Sequence, residues 1–153
     1  MRRNTVYKRV TKNDLYCIYA NLSGEEYPML YSDSKLLLDE TKALQQWLGG
    51  IRRSQKAKKD VVTEVVRFLR YLRKNNVQLE LITDNRIRLY RNSLLVSDDN
   101  PNQVKRKRSI NLYLKYIYNF LSEYYLLDPC KRAYLIGSHN LCAVKSGLIN
   151  SEC

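Results

Sequence analysis

Residues 110–124 read Ile110-Asn111-Leu112-Tyr113-Leu114-Lys115-Tyr116-Ile117-Tyr118-Asn119-Phe120-Leu121-Ser122-Glu123-Tyr124. Within this stretch Ile110, Tyr113, Leu114, Ile117, Phe120, Leu121 and Tyr124 recur at unbroken steps of three and four. That is the spacing of one helical face. Upstream, Asn100 suits a helix cap and Pro101 a first helical position, where a missing N–H costs nothing. Downstream, Asp128-Pro129 is a stop signal. The pattern predicts a long helix over about 101–125, the fourth of the chain.

The same reading applied upstream finds three more helices. Val61, Val65, Phe68, Leu69 and Leu72 share one face of a helix from about Ser54 to Asn75. Ile87, Tyr90 and Leu94 share a face of a helix from about Asp84 to Leu95, with Thr83 as its cap. A short first helix spans about Asp39 to Leu48, with Ala43, Leu44, Trp47 and Leu48 on its apolar side. Asp39 is expected to cap it, and Gly49-Gly50 to end it in the left-handed conformation. Residues 77–82 read as a connector.

Residues 1–14 are polar and expected to be loose. Leu15-Tyr16-Cys17-Ile18-Tyr19 is rich in strand formers and runs into a turn signal, Asn21-Leu22-Ser23-Gly24. Residues 15–38 are therefore expected to be extended or to form a small β-hairpin, with Pro28 on an edge strand. The fold class expected is mainly α: four helices preceded by a short extended or hairpin segment. The chain divides into an N-terminal arm (1–38), a helical domain (39–129) and a tail or linker (130–153). No internal repeat or low-complexity tract interrupts it.

Charge points toward function. The 153 residues carry 27 Lys+Arg against 15 Asp+Glu, a formal net charge of +12. Residues 51–134 hold 19 basic and 8 acidic side chains, net +11, whereas residues 1–50 hold 7 and 6. A basic chain seeks polyanions. Here the excess is confined to the helical region, as a functional surface would be.

Two features stand out within it. On a helical wheel of the second helix, Lys56, Lys59, Thr63, Arg67, Arg70 and Lys74 lie opposite the apolar face, with Arg52 on the same line just before it. This stripe contains no acidic residue, and Glu64 lies off it. A solvated helix face normally mixes signs. A stripe of one sign can track a phosphate backbone or enter a major groove.

The second feature is Lys105-Arg106-Lys107-Arg108. The apolar stripe of the fourth helix, extended backwards from Ile110, lands on Lys107, Arg106 and Gln103. Burying such cations would cost several kcal/mol each. The helix start is therefore expected to project beyond the core. Cations there also oppose the helix dipole, at roughly 0.3–1 kcal/mol each. A polyanionic partner accounts for that arrangement better than folding does; a nuclear-localisation-like run or a solubility device would account for it too.

Catalytic patterns are missing. There is no Gly-rich phosphate loop, no Gly-x-Ser-x-Gly and no His-Glu-x-x-His. His139 reads as a surface loop residue. The cysteines Cys17, Cys130, Cys142 and Cys153 form no Cys-x-x-Cys pair, so neither zinc nor another cofactor is expected. No signal peptide and no apolar run of spanning length is seen, which predicts reduced cysteines, a cytoplasmic location and no membrane partner. Of the 13 tyrosines, those crowding the fourth helix (Tyr113, Tyr116, Tyr118, Tyr124, Tyr125) fit core or partner packing better than base stacking.

The helical region resembles a known family. Val62-Thr63-Glu64-Val65-Val66-Arg67-Phe68-Leu69-Arg70-Tyr71-Leu72 follows a basic helix start. Leu81-Ile82-Thr83-Asp84-Asn85-Arg86-Ile87-Arg88-Leu89-Tyr90 comes next, and then a long helix closing in Tyr125-Leu126-Leu127-Asp128-Pro129. In their order and spacing these motifs resemble the N-terminal core-binding (SAM-like) domain of tyrosine recombinases, the phage-integrase family, over about residues 39–129. The resemblance implies a SAM-like four-helix bundle lying on one face of duplex DNA, opposite a C-terminal catalytic domain. The second helix and the basic start of the fourth would face the groove. It further implies DNA integration or recombination in a bacterial or phage-derived, nucleoid-associated setting, with the catalytic domain and other protomers as partners. The catalytic domain would begin beyond this chain, so no catalytic residue is expected here. Two readings stand beside this one: a helical module docking an acidic partner, and a non-specific nucleic-acid binder.

Overall fold

The computed structural model describes residues 15–96 and 103–127, with side chains over 15–95 and 107–127. Among these residues the chain is mostly helical, with a three-stranded antiparallel sheet at its start. Strands β1 (Leu15–Leu22), β2 (Glu25–Ser32) and β3 (Lys35–Leu36) lie in the order β1-β2-β3. Helices α1 (Leu38–Gly49), α2 (Gln55–Lys74), α3 (Asp84–Val96) and α4 (Gln103–Leu127) follow, with a 3-10 turn at Leu79–Leu81 between α2 and α3. Asn100, Pro101, Asp128 and Pro129, read as start and stop signals of the long helix, lie outside the described residues. So do the tail, His139 and the three C-terminal cysteines.

The expected hairpin is present and gains a third strand. Both connections are two-residue turns with positive φ at both positions, Ser23 (54°) and Gly24 (83°), then Asp33 (54°) and Ser34 (65°). Such turns match the right-handed twist of the flanking strands, and at Gly24 the missing Cβ removes the steric cost. Pro28 sits on the central strand rather than on an edge strand. It is tolerated because β3 pairs only with Tyr31 and Ser32, so β2 has a single neighbour at Pro28.

The start and end of α1 differ from expectation. Its N-cap is Leu37, without a side-chain cap, and Asp39 lies inside the first turn beside Glu40. A contact distant in sequence sets that boundary: Leu37 N–H donates to Leu30 O at 2.8 Å, and Leu30 N–H donates to Thr41 Oγ1 at 2.9 Å. The two carboxylates favour the helix N-terminus through the dipole instead. Gly49 belongs to the helix, and Gly50 closes it at φ −94°, a right-handed conformation, with its N–H on Trp47 O at 3.0 Å.

Helix α2 matches its local signals closely. Ser54 accepts from Ala57 N–H at 3.1 Å as the N-cap. At the other end Asn76 (φ 56°) donates to Arg73 O, and Val77 donates to Leu72 O. This pair of bonds is a Schellman closure, with asparagine in the left-handed position. Thr83 Oγ1 accepts from Arg86 N–H at 3.3 Å, as a cap of α3 should.

One core joins the four helices, the 3-10 turn and strands β1 and β2. The long helix α4 packs against each of the other three, while α1 contacts β2 and α2 contacts β1. The apolar positions read from sequence on α4 are buried, except Tyr113, which is half-buried. Phe68, Ile87, Leu114, Ile117 and Phe120 are fully buried, each stabilising the fold by roughly 1.5–3 kcal/mol. Leu15 and Leu30 belong to the same cluster, so the sheet is part of this core.

Tyrosines serve as core residues with a polar end. Tyr90 packs edge-on to Phe68 at 5.1 Å, and its ring lies 4.9 Å from that of Tyr71. From α4, Tyr118 donates to Asp84, Tyr124 to Glu80 at 3.2 Å and Tyr125 to Leu79 O at 2.6 Å. The Tyr124 and Tyr125 hydroxyls hold the connector between α2 and α3 against α4, and the Tyr118 hydroxyl holds the start of α3 there. Burial pushes the Tyr124 and Tyr125 phenols up, with Glu40 and Glu80 adding to it at Tyr124 and Glu80 at Tyr125.

Candidate nucleic-acid interface

The outer face of α2 carries the predicted stripe. Arg52, Lys56, Thr63, Arg67, Arg70 and Lys74 are exposed and Lys59 is partly exposed. The structure also shows what the wheel could not. Carboxylates stand beside three of the cations. Lys56 lies 3.9 Å from Asp60, both exposed. Lys59 Nζ lies 2.6 Å from Glu26 Oε1 and 4.9 Å above the Tyr19 ring. Arg67 Nη1 lies 3.1 Å from Glu64 Oε1, and Glu64 itself is buried. The stripe is therefore not of one sign in space: six cations face three carboxylates.

Two further side chains are held by the backbone. Arg70 Nε donates to Leu15 O at 2.7 Å, and Thr63 Oγ1 donates to Lys59 O at 3.0 Å. The stripe thus borders β1 along one side. Next to Arg70, the ring of Tyr71 lies 4.9 Å from that of Tyr90 on α3. Arg52 and Lys74 have no ion-pair partner among the described residues.

The start of α4 meets the middle of this face. A shallow depression is lined by Asp60, Thr63 and Glu64 of α2 and by Ser109, Leu112, Tyr113 and Tyr116 of α4. Ser109 follows directly on the basic run, so the run continues from the rim of the depression. Arg108 is exposed and Lys107 half-exposed, and neither has an ion-pair partner among the described residues. The side chains of Lys105 and Arg106 lie outside the described set. Two surfaces read separately from the sequence are thus adjacent.

The structure adds Arg53 and Lys115. Both line a small hollow with Trp47, Ile51, Val61 and Asn119, which shares Leu112 and Tyr116 with the first depression. Trp47 lies 6.2 Å from Tyr116 there. Lys115 was findable, since Lys107, Asn111 and Lys115 follow at steps of four on one helical line. Arg53 lies between helices and carries no periodic signal.

No group of three or more His, Cys, Asp or Glu residues suitable for a metal occurs among the described residues. Burial pushes the Cys17 thiol up, which disfavours the reactive thiolate. Among the described residues no helix is long and apolar enough to cross a membrane. No protein family matches the chain, and no curated protein or solved structure shows significant similarity to it.

Proposed function

We propose that this chain is a duplex-DNA-binding module whose contact surface is the outer face of α2 together with the basic start of α4. The observation that carries this reading is their meeting across the Thr63–Ser109 depression. It brings Thr63 of the α2 stripe close to Ser109, the residue that follows the basic run of α4. Phosphate contacts would supply most of the affinity, as they do when Lys and Arg dominate an interface. The order of the helices and the long closing α4 fit a SAM-like core-binding domain of a tyrosine recombinase. In that setting a catalytic domain and neighbouring protomers are the further partners, at the nucleoid of a bacterial or phage-carrying cell. The test is titration of a labelled random-sequence duplex by fluorescence anisotropy over a range of salt concentrations.

The sheet tempers this surface. Glu26 reaches from β2 to Lys59 and would also repel a phosphate nearby. A partly exposed pair is worth at most about 1 kcal/mol, so it yields to a better anion. Replacing Glu26 with Gln is expected to tighten duplex binding about fivefold, with a salt slope steeper by up to about 0.9. Unchanged or weaker binding in the same titration would place the sheet side of α2 away from the DNA.

A further inference from the structure

A cavity of about 430 Å³ lies at the C-terminal end of α2, where the chain turns into the 3-10 segment. Small-molecule sites span about 300–1,000 Å³. Four parts of the fold border it: β1 through Leu15, α1 through Glu40, the end of α2 with the turn after it, and α4 through Tyr124. The deep part of the lining is apolar, because Leu15, Leu69, Leu72 and Leu79 are all buried. Beside these leucines stand one cation, Arg73, and two carboxylates, Glu40 and Glu80.

Arg73 is incompletely satisfied. Its Nε is buried and has no hydrogen-bond partner, and among the described residues Arg73 makes no ion pair. A buried donor without an acceptor destabilises a fold, the more so on a charged group. An anion beside it removes that cost through a charge-assisted hydrogen bond. The carboxylates gather around a different group. The Tyr124 hydroxyl donates to Glu80 Oε2 at 3.2 Å. Burial and then the charges of Glu40 and Glu80 push the Tyr124 phenol up, so both carboxylates act on one spot.

We propose that this cavity binds a small zwitterion with an aliphatic body, the chemistry of a free aliphatic α-amino acid. The ligand's carboxylate supplies the acceptor that Arg73 lacks. Its ammonium group faces Glu40 and Glu80, and its side chain lies on the buried leucines. An anion alone would meet two like charges, and a cation alone would leave Arg73 without an acceptor. Only a molecule carrying both signs answers the whole lining. The cavity shares no residue with the proposed DNA interface, so this inference does not rest on that reading.

Nuclear magnetic resonance titration of the isotope-labelled chain with L-leucine, up to about 10 mM, tests this. Leucine is expected to shift the backbone amides of Val77, Leu79 and Glu80 saturably. Two truncated probes separate the charges on the wild-type chain. Isocaproate lacks the ammonium group and isopentylamine lacks the carboxylate. Each is expected to bind at least about tenfold more weakly than leucine. Arg73→Gln should weaken leucine binding by about tenfold or more and leave isopentylamine binding as it was. Glu80→Gln keeps an acceptor for the Tyr124 hydroxyl. It should weaken leucine and isopentylamine alike and spare isocaproate. Circular dichroism checks the fold of each variant. Amides that do not respond to leucine overturn the proposal, as does either truncated probe binding as tightly as leucine. A leucine response that both folded variants leave unchanged overturns it as well.

Discussion

Replacing Lys105, Arg106, Lys107 and Arg108 together with alanine is expected to weaken duplex binding by up to roughly 4,000-fold at about 0.1 M salt. Each phosphate contact contributes about 0.9 to the slope of log affinity against log salt, and so about 0.9 decade between 1 M and 0.1 M. Four lost contacts amount to between three and four decades. The fold should survive. The described apolar stripe of α4 begins at Ile110, and Arg108 is exposed. Alanine is the best helix former, and cations at a helix N-terminus oppose the dipole, so thermal stability should hold or rise. Anisotropy and a melting curve on the same sample separate the two effects. A folded variant that binds like wild type would remove the start of α4 from the interface.

The second large effect concerns the core. Phe68→Ala should destabilise the chain by about 3–5 kcal/mol. Phe68 is fully buried, and its edge-on contact with Tyr90 adds to the loss. Domains of this size have about 5–15 kcal/mol in total, so the variant should approach the unfolding threshold at ambient temperature. Because Leu15 and Leu30 share the cluster with Phe68, sheet and helices should unfold together. Urea unfolding followed by far-ultraviolet circular dichroism and by fluorescence of the single tryptophan, Trp47, reads both points. A loss under about 1 kcal/mol, or two separate transitions, would contradict a core shared by sheet and helices.

What the sequence revealed, and what it hid, divides along local and distant interactions. Helix α2 was legible because Val61, Val65, Phe68 and Leu72 repeat at helical spacing between Ser54 and Asn75. The stripe from Arg52 to Lys74 was legible for the same reason. Strand β3 was not, since a two-residue strand has no period to detect. The start of α1 was placed on Asp39 by a local rule, whereas the bonds between Leu37 and Leu30 and between Thr41 and Leu30 set it one residue earlier. The acidic partners of the stripe divide the same way. Glu64 stands three residues from Arg67 and could have been paired with it from sequence. Glu26 meets Lys59, and Leu15 meets Arg70, only after the sheet has folded onto α2. The meeting of α2 and α4 at Thr63 and Ser109 is likewise a tertiary fact.

The most direct test of the central claim is the salt slope of wild-type binding to a random-sequence duplex. If the outer face of α2 and the start of α4 form one phosphate-binding surface, log affinity should fall linearly with log salt, with a slope of magnitude about 4 or more. Failure to bind at about 50 mM salt, or a slope near zero, would contradict the DNA-binding account.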